Sequence, residues 1–180
     1  MIKPVNYFGT TLIVCTVIYL ANVVLSKIFE DESAQVDEWL DQNELGDYKK
    51  LFKEYGISTL SGCSTPEQLE RLPEMPAAEE KRLRRAAHIL QQRLVLRQWL
   101  STHKLQHVCS KLLSLDVASL EDVYWLEDRT ARTVLDPKDF AAWAAARQSL
   151  PTGTEQLAAL KADLWTTVVK TNKHQDAWAW

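Results

Sequence analysis

A shift of 60 residues superimposes one half of this chain on the other, and that repeat constrains the fold more than any other feature. After Gln35 the apolar positions are Val36, Trp39, Leu40, Leu45, Tyr48, Phe52, Ile57 and Leu60. Sixty residues later stand Leu96, Trp99, Leu100, Leu105, Val108, Leu112, Val117 and Leu120. All eight positions are apolar in both copies, and the Trp-Leu pair recurs identically. Self-similarity at a fixed period marks a structural unit used twice.

The spacing inside each unit is helical. Val36, Trp39 and Leu40 fall on one face at i, i+3 and i+4, and Leu45, Tyr48 and Phe52 form a second stripe. Gly56-Ile57-Ser58 and its counterpart Asp116-Val117-Ala118 read as connectors ahead of a new helix. The copies differ in length after Leu60 and realign at Ala77 and Pro137. Longer helices are expected there, over about 77–94 and 137–148, with Pro76 and Pro137 suited to a helix start. Leu83 then matches Trp143, and Leu90 matches Leu150. The junction Gln91-Gln92-Arg93-Leu94 holds no Gly or Pro, so the closing helix of the first unit is expected to run almost directly into the second. Ala, Leu, Glu, Lys, Arg and Gln dominate after Asp37, and all are good helix formers. The fold class read from these features is all-α.

Ahead of the repeat, no charged residue lies between Lys3 and Lys27. The apolar core Phe8–Leu25 approaches the roughly 20 residues that a helix needs to span a bilayer. Residues 7–27 are therefore expected to form a transmembrane signal anchor, after a short tail at 1–6 and before an acidic linker at 28–34. Tyr7 would sit at one interface and Lys27 at the other. The competing reading is a cleaved signal peptide, with Val24 and Ser26 as the small-residue site. One lysine flanks each end of the run, so the positive-inside rule does not choose an orientation.

The units themselves resemble the sterile alpha motif (SAM) domain. That family opens on an apolar-x-x-Trp-Leu helix, matched by Val36, Trp39 and Leu40. A leucine, an aromatic, a Phe, an isoleucine and a leucine follow, matched by Leu45, Tyr48, Phe52, Ile57 and Leu60. In the second copy Val108 and Leu112 replace the aromatics, and neither copy carries the Gly-x-Arg-like turn at the start of its last helix. The resemblance covers residues 35–92 and 93–150. It implies two tandem five-helix bundles that bind other such domains, the middle of one domain meeting the start of another's last helix. Some members polymerise, a few bind RNA hairpins or lipid, and none is enzymatic through this fold.

Charge placement suggests where such contacts form. Asp37, Glu38, Asp41, Glu44, Asp47 and Glu54 make the first two helices of the first unit acidic, whereas its last helix carries Lys81, Arg82, Arg84 and Arg85. The second unit presents His103, Lys104, His107 and Lys111 where the first is acidic. An acidic face and a separate basic helix would set the register of head-to-tail pairing. The interaction candidates are accordingly Asp41, Glu44, Asp47, Lys81, Arg82, Arg84, Arg85, His103 and Lys104. The basic helix Lys81–Arg85 also suits anionic lipid headgroups and, less well, RNA, although the net charge of −3 argues against a nucleic-acid binder driven by bulk charge.

His103 and His107 lack further metal ligands at zinc spacing, and five glycines leave little room for a phosphate loop. No metal, cofactor, small-molecule substrate or catalytic set is expected. Three sparse cysteines make no disulfide framework, and no Asn-x-Ser/Thr acceptor occurs. Both fit a cytosolic soluble part on a membrane of the secretory pathway or the mitochondrial surface, with a lumenal or secreted protein of opposite topology as the alternative.

After the repeat, Thr152 and Glu155 are spaced as a capping box. They mark the start of an amphipathic helix over 151–173, with Leu157, Leu160, Leu164 and Val168 on one stripe. The remaining 174–180 contain Trp178 and Trp180, and terminal Trp-x-Trp resembles short peptides that bind coat-complex subunits.

Overall fold

The computed structural model describes residues 32–176, with side chains to 171. The expected anchor at 7–27 and the tryptophans 178 and 180 lie outside the described residues. Those described are all-helical, and no helix among them is long and apolar enough to cross a membrane.

Each apolar stripe becomes one wall of a core, and each break between stripes becomes a cap. Helix α1 (32–42) buries Val36, Trp39 and Leu40. It stops because Glu44 takes a left-handed conformation, φ 56°. Leu45 N–H then reaches back to Leu40 C=O at 2.8 Å, and Glu44 N–H to Asp41 C=O at 3.1 Å. Two backward bonds of this kind are the Schellman closure, which satisfies carbonyls that the helix end would leave unpaired. A 3₁₀ turn, Gly46–Tyr48, leads into α2 (Lys49–Glu54). Gly56, φ 69°, closes α2 in the same manner, with Ile57 N–H on Phe52 C=O at 2.9 Å. Short helices α3 (Leu60–Cys63) and α4 (Pro66–Leu69) follow, the first capped by Thr59 Oγ1, which accepts from Gly62 N–H.

The second unit repeats this backbone at the same shift. Lys104 (φ 59°) stands 60 residues after Glu44, and Asp116 (φ 60°) stands 60 after Gly56. Leu105 N–H bonds Leu100 C=O at 2.7 Å, and Val117 N–H bonds Leu112 C=O at 3.2 Å. Between these closures lie the 3₁₀ turn Gln106–Val108 and α6 (Cys109–Leu113). Then come α7 (Leu120–Trp125), α8 (Asp128–Ala131) and α9 (Pro137–Gln148). Ser119 and Asp122 form a reciprocal capping box on α7, and Asp136 caps α9 ahead of Pro137.

The two units share one helix. Helix α5 runs unbroken from Ala77 to Thr102, 26 residues, so it does not end near Leu94. Its first half gives Leu83, Ala86 and Leu90 to the first core, with Val36, Leu40, Phe52 and Ile57. Its second half gives Val95, Leu96, Trp99 and Leu100 to the second core, with Leu112, Leu120, Val123 and Trp143. At 3.6 residues per turn these two sets point roughly 150° apart around the axis. The two cores therefore sit on different sides of a common rod about 39 Å long.

Helix α10 (Thr154–Asp176) packs along α5 and also touches α3, bracing one unit against the other. Leu164 and Val168 are buried, and Leu157, Leu160 and Trp165 pack on the second core. Lys161 Nζ reaches Glu121 of α7 at 2.8 Å. Two details differ from expectation. Residues 32–34 belong to α1 rather than to a linker. Thr152 stands too far ahead to cap α10, which starts at Thr154 and whose Leu157 N–H bonds the carbonyl of Gly153.

Candidate functional site

Of the charged residues singled out in the first unit, Glu44 and Arg82 meet where the end of α1 approaches the start of α5. Arg82 Nη1 lies 3.2 Å from the Glu44 carboxylate and 3.3 Å from the Glu44 backbone carbonyl. Tyr48 Oη donates to Glu79 beside it. The acidic face and the basic helix are thus not separate, as charge placement suggested, but joined inside one unit. The acidic face is also partly neutralised by its own lysines: Lys49 pairs with Asp41, and Lys53 pairs with Asp37 at 2.7 Å. Ion-pair partners are chosen by long-range packing, so the charge pattern alone did not reveal these contacts.

What remains displayed is narrower than the sequence implied. Arg84 pairs with Glu80 one turn away at 2.8 Å. Asp47, Lys81 and Arg85 are exposed and have no ion-pair partner among the described residues. Exposed pairs of this kind contribute about 0–1 kcal/mol each, so the cluster does little to hold the fold. Next to it, between α4 and α5, lies a cleft of about 550 Å³. Leu69, Leu72, Met75 and Leu83 line it, with Glu80 and Arg84 at its edge.

In the second unit the candidate residues go separate ways. His103 tilts against the Trp99 ring, centroids 4.9 Å apart, and Lys104 is an exposed helix cap. His107 Nε2 instead lies 2.8 Å from the Asp139 carboxylate, with Lys111 Nζ at 3.5 Å. The His107 hydrogen bond is the main cause that holds the Asp139 carboxyl below its usual range; partial burial opposes it, and the charges of His107 and Lys111 add to it. At Glu121 burial works against the charged form, but the hydrogen bond from Lys161 together with weaker contributions outweighs it, so that carboxyl too lies below its usual value. Cys63 is fully buried, and loss of solvent pushes its thiol up to about 12, which leaves it chemically quiet. Among the described residues no group of three acidic, His or Cys side chains could hold a metal ion.

One surface feature escaped the sequence reading. Trp125, at the end of α7, is 77% exposed and meets the Tyr124 ring edge-on with centroids 5.0 Å apart. The repeat itself carried the signal, since a 60-residue shift sets Trp125 opposite Thr65, a polar position.

No family model, no curated protein and no solved structure matches the chain.

Proposed function

We propose that this chain is a membrane-anchored adaptor whose tandem SAM-like modules bind protein partners and associate with further copies of themselves. Residues 7–27 are the anchor in this reading, and the soluble part lies on the cytosolic side of a membrane of the secretory pathway or the mitochondrial surface. The chain works through surfaces rather than through catalysis.

The observation that carries the reading is the charged junction of α1 and α5. Glu44 and Arg82 meet there, Lys81 and Arg85 stand exposed on the same stretch of α5, and Asp47 is exposed on the 3₁₀ turn that follows α1; these charges stabilise little within the unit. The SAM resemblance supports it, because that family uses the start of the last helix as a contact surface. Complementary charges on such a surface set register and association rate, and tethering to a membrane raises effective concentration so that weak contacts suffice.

Sedimentation velocity of the full chain in detergent tests the self-association. The expected result is a concentration-dependent rise in size that is lost on Lys81→Glu combined with Arg85→Glu. A strict monomer at the highest attainable concentration removes the self-association, and protease protection of a terminal tag in sealed microsomes decides the topology.

A further inference from the structure

The cleft between α4 and α5 in the first unit has a filled counterpart in the second. Arg147 stands 60 residues after Ala87, and Trp143 stands 60 after Leu83. The Arg147 guanidinium lies over the Trp143 ring, 4.6 Å from its centroid. Its Nη1 donates to the Leu126 carbonyl at 2.5 Å, and its Nη2 pairs with Asp128. Leu126 is the cap that ends α7, two residues ahead of α8. Ser64 holds the same place in the first unit, as the cap that ends α3 two residues ahead of α4. Ser64, Leu83 and Ala87 all line the cleft of about 550 Å³. The space that arginine and tryptophan fill in the second unit is therefore open in the first, where alanine and leucine stand at the same positions.

The open cleft keeps charge that suits an arginine. Glu70 and Glu74 line it at the end of α4 and in the loop beyond, both exposed and outside any ion pair among the described residues. On the other side Lys81 and Arg85 come next around α5 after the lining residues Arg84 and His88, at 3.6 residues per turn. Between these two charged sides the floor is apolar, with Leu69, Leu72 and Leu83. A matching occupant carries an apolar anchor with an arginine and an acid close by. The second unit of the same chain displays that set. Trp125 is 77% exposed, and it is followed by Glu127 and Arg129, both exposed and outside any ion pair among the described residues. Trp125 does not line the cleft of its own chain. Tryptophan and arginine are enriched among the residues that dominate binding energy, and a buried tryptophan covers about 150–250 Å².

We infer that the α4–α5 cleft of one copy receives Trp125 and Arg129 from the second unit of another copy. Trp125 covers Leu69, Leu72 and Leu83, Arg129 meets Glu70 and Glu74, and Glu127 faces Lys81 and Arg85. The inference rests on the self-association reading and deepens it, because it names the two surfaces that meet. Those surfaces differ, so the contact runs head to tail. Such a contact leaves one cleft and one Trp125 unused at the ends of every pair, and it grows into rings or open chains instead of stopping at a dimer. Arg147 closes the counterpart cleft, so the second unit donates and the first receives.

Sedimentation velocity of the full chain in detergent tests the contact with two kinds of variant. The donor variant is Trp125→Ala with Arg129→Ala, and the receiver variant is Glu70→Lys with Glu74→Lys. All four positions are exposed, so both variants are expected to keep the wild-type circular dichroism and melting. Ala87→Arg is a second receiver variant, which plugs the cleft with the residue of the second unit. The expected result is a wild type that grows with concentration and variants that stay monomeric. A mixture of donor and receiver variants should form a heterodimer that grows no further, because it holds one intact cleft and one intact Trp125. Variants of both kinds that associate as the wild type does overturn the inference and leave self-association standing. Loss of association in only one kind overturns it as well, since the two surfaces then do not meet, and so does a mixture that stays monomeric. A wild type that is itself a strict monomer removes the self-association reading and the inference with it.

Discussion

Replacing Lys104 by glycine is expected to stabilise the protein, although it deletes a charged side chain and adds none. Lys104 holds φ at 59° in order to close α5, and it is exposed, without an ion pair among the described residues. A side chain in the left-handed region costs about 1–2 kcal/mol, because its Cβ crowds the following carbonyl. Glycine removes that strain but makes the unfolded chain more flexible, which costs about 0.5–1 kcal/mol. The net gain is about 0.5–1 kcal/mol, or about 1–4 °C in Tm for a domain of this size. Gly56→Ala is the mirror experiment. A Cβ placed on Gly56 meets no atom within 4 Å, so any loss reflects backbone conformation at φ 69° and not a clash. By the same difference between left-handed strain and unfolded-chain entropy it should lower stability by about 0.5–1 kcal/mol. Both variants can be followed by thermal and urea unfolding with circular dichroism. If Lys104→Gly destabilises, or Gly56→Ala changes nothing, the repeated left-handed closure at 60-residue spacing would be the wrong account of how these helices end.

Three further outcomes follow from particular contacts. Leu164→Ala empties a buried site between α10 and the second core and should cost about 2–5 kcal/mol; because α10 also touches α3, amide exchange is expected to speed up in the first unit too, and exchange confined to the second unit would show that α10 is no brace. Asp139→Asn should alter stability in acid: a carboxyl whose folded pKa is depressed contributes stability above its unfolded pKa of about 3.9 that is lost as pH falls through the lower folded value, so the variant's urea midpoint should fall less than the wild type's across that range, and parallel curves would remove the role given to His107 and Lys111. Cys63, buried with its thiol pushed up to about 12, should resist thiol reagents at pH 8 until the protein unfolds, and peptide mapping that finds it alkylated in the folded state would place it outside the core.

Much of the core was legible because burial leaves a periodic trace. Of the sixteen repeat positions, all but Tyr48 and Leu60 are buried, and those two pack on the first core. Leu157, Leu160, Leu164 and Val168, read as one stripe, are the residues that α10 turns inward. The candidate interaction residues were visible only as charges. Whether Glu44 faces solvent or Arg82, and whether His107 faces another histidine or Asp139, depends on helices that pack from 32 to 38 residues away.

By itself, then, the sequence determined that this part of the chain is helical, that a unit occurs twice at a 60-residue period, and which residues each unit buries. Those properties come from short-range periodicity and intrinsic propensity. Only the tertiary structure decided that α5 serves both units as one rod, because its apolar face turns roughly 150° between Leu90 and Val95 and so leaves no single stripe to read. Three of the four helix closures likewise depend on Glu44, Lys104 and Asp116 accepting a left-handed backbone without the glycine that would have announced it, and such strain persists only where the surrounding packing enforces it. The meeting of α1 and α10 over a single cleft joins residues more than 130 apart in sequence, and no local pattern encodes that.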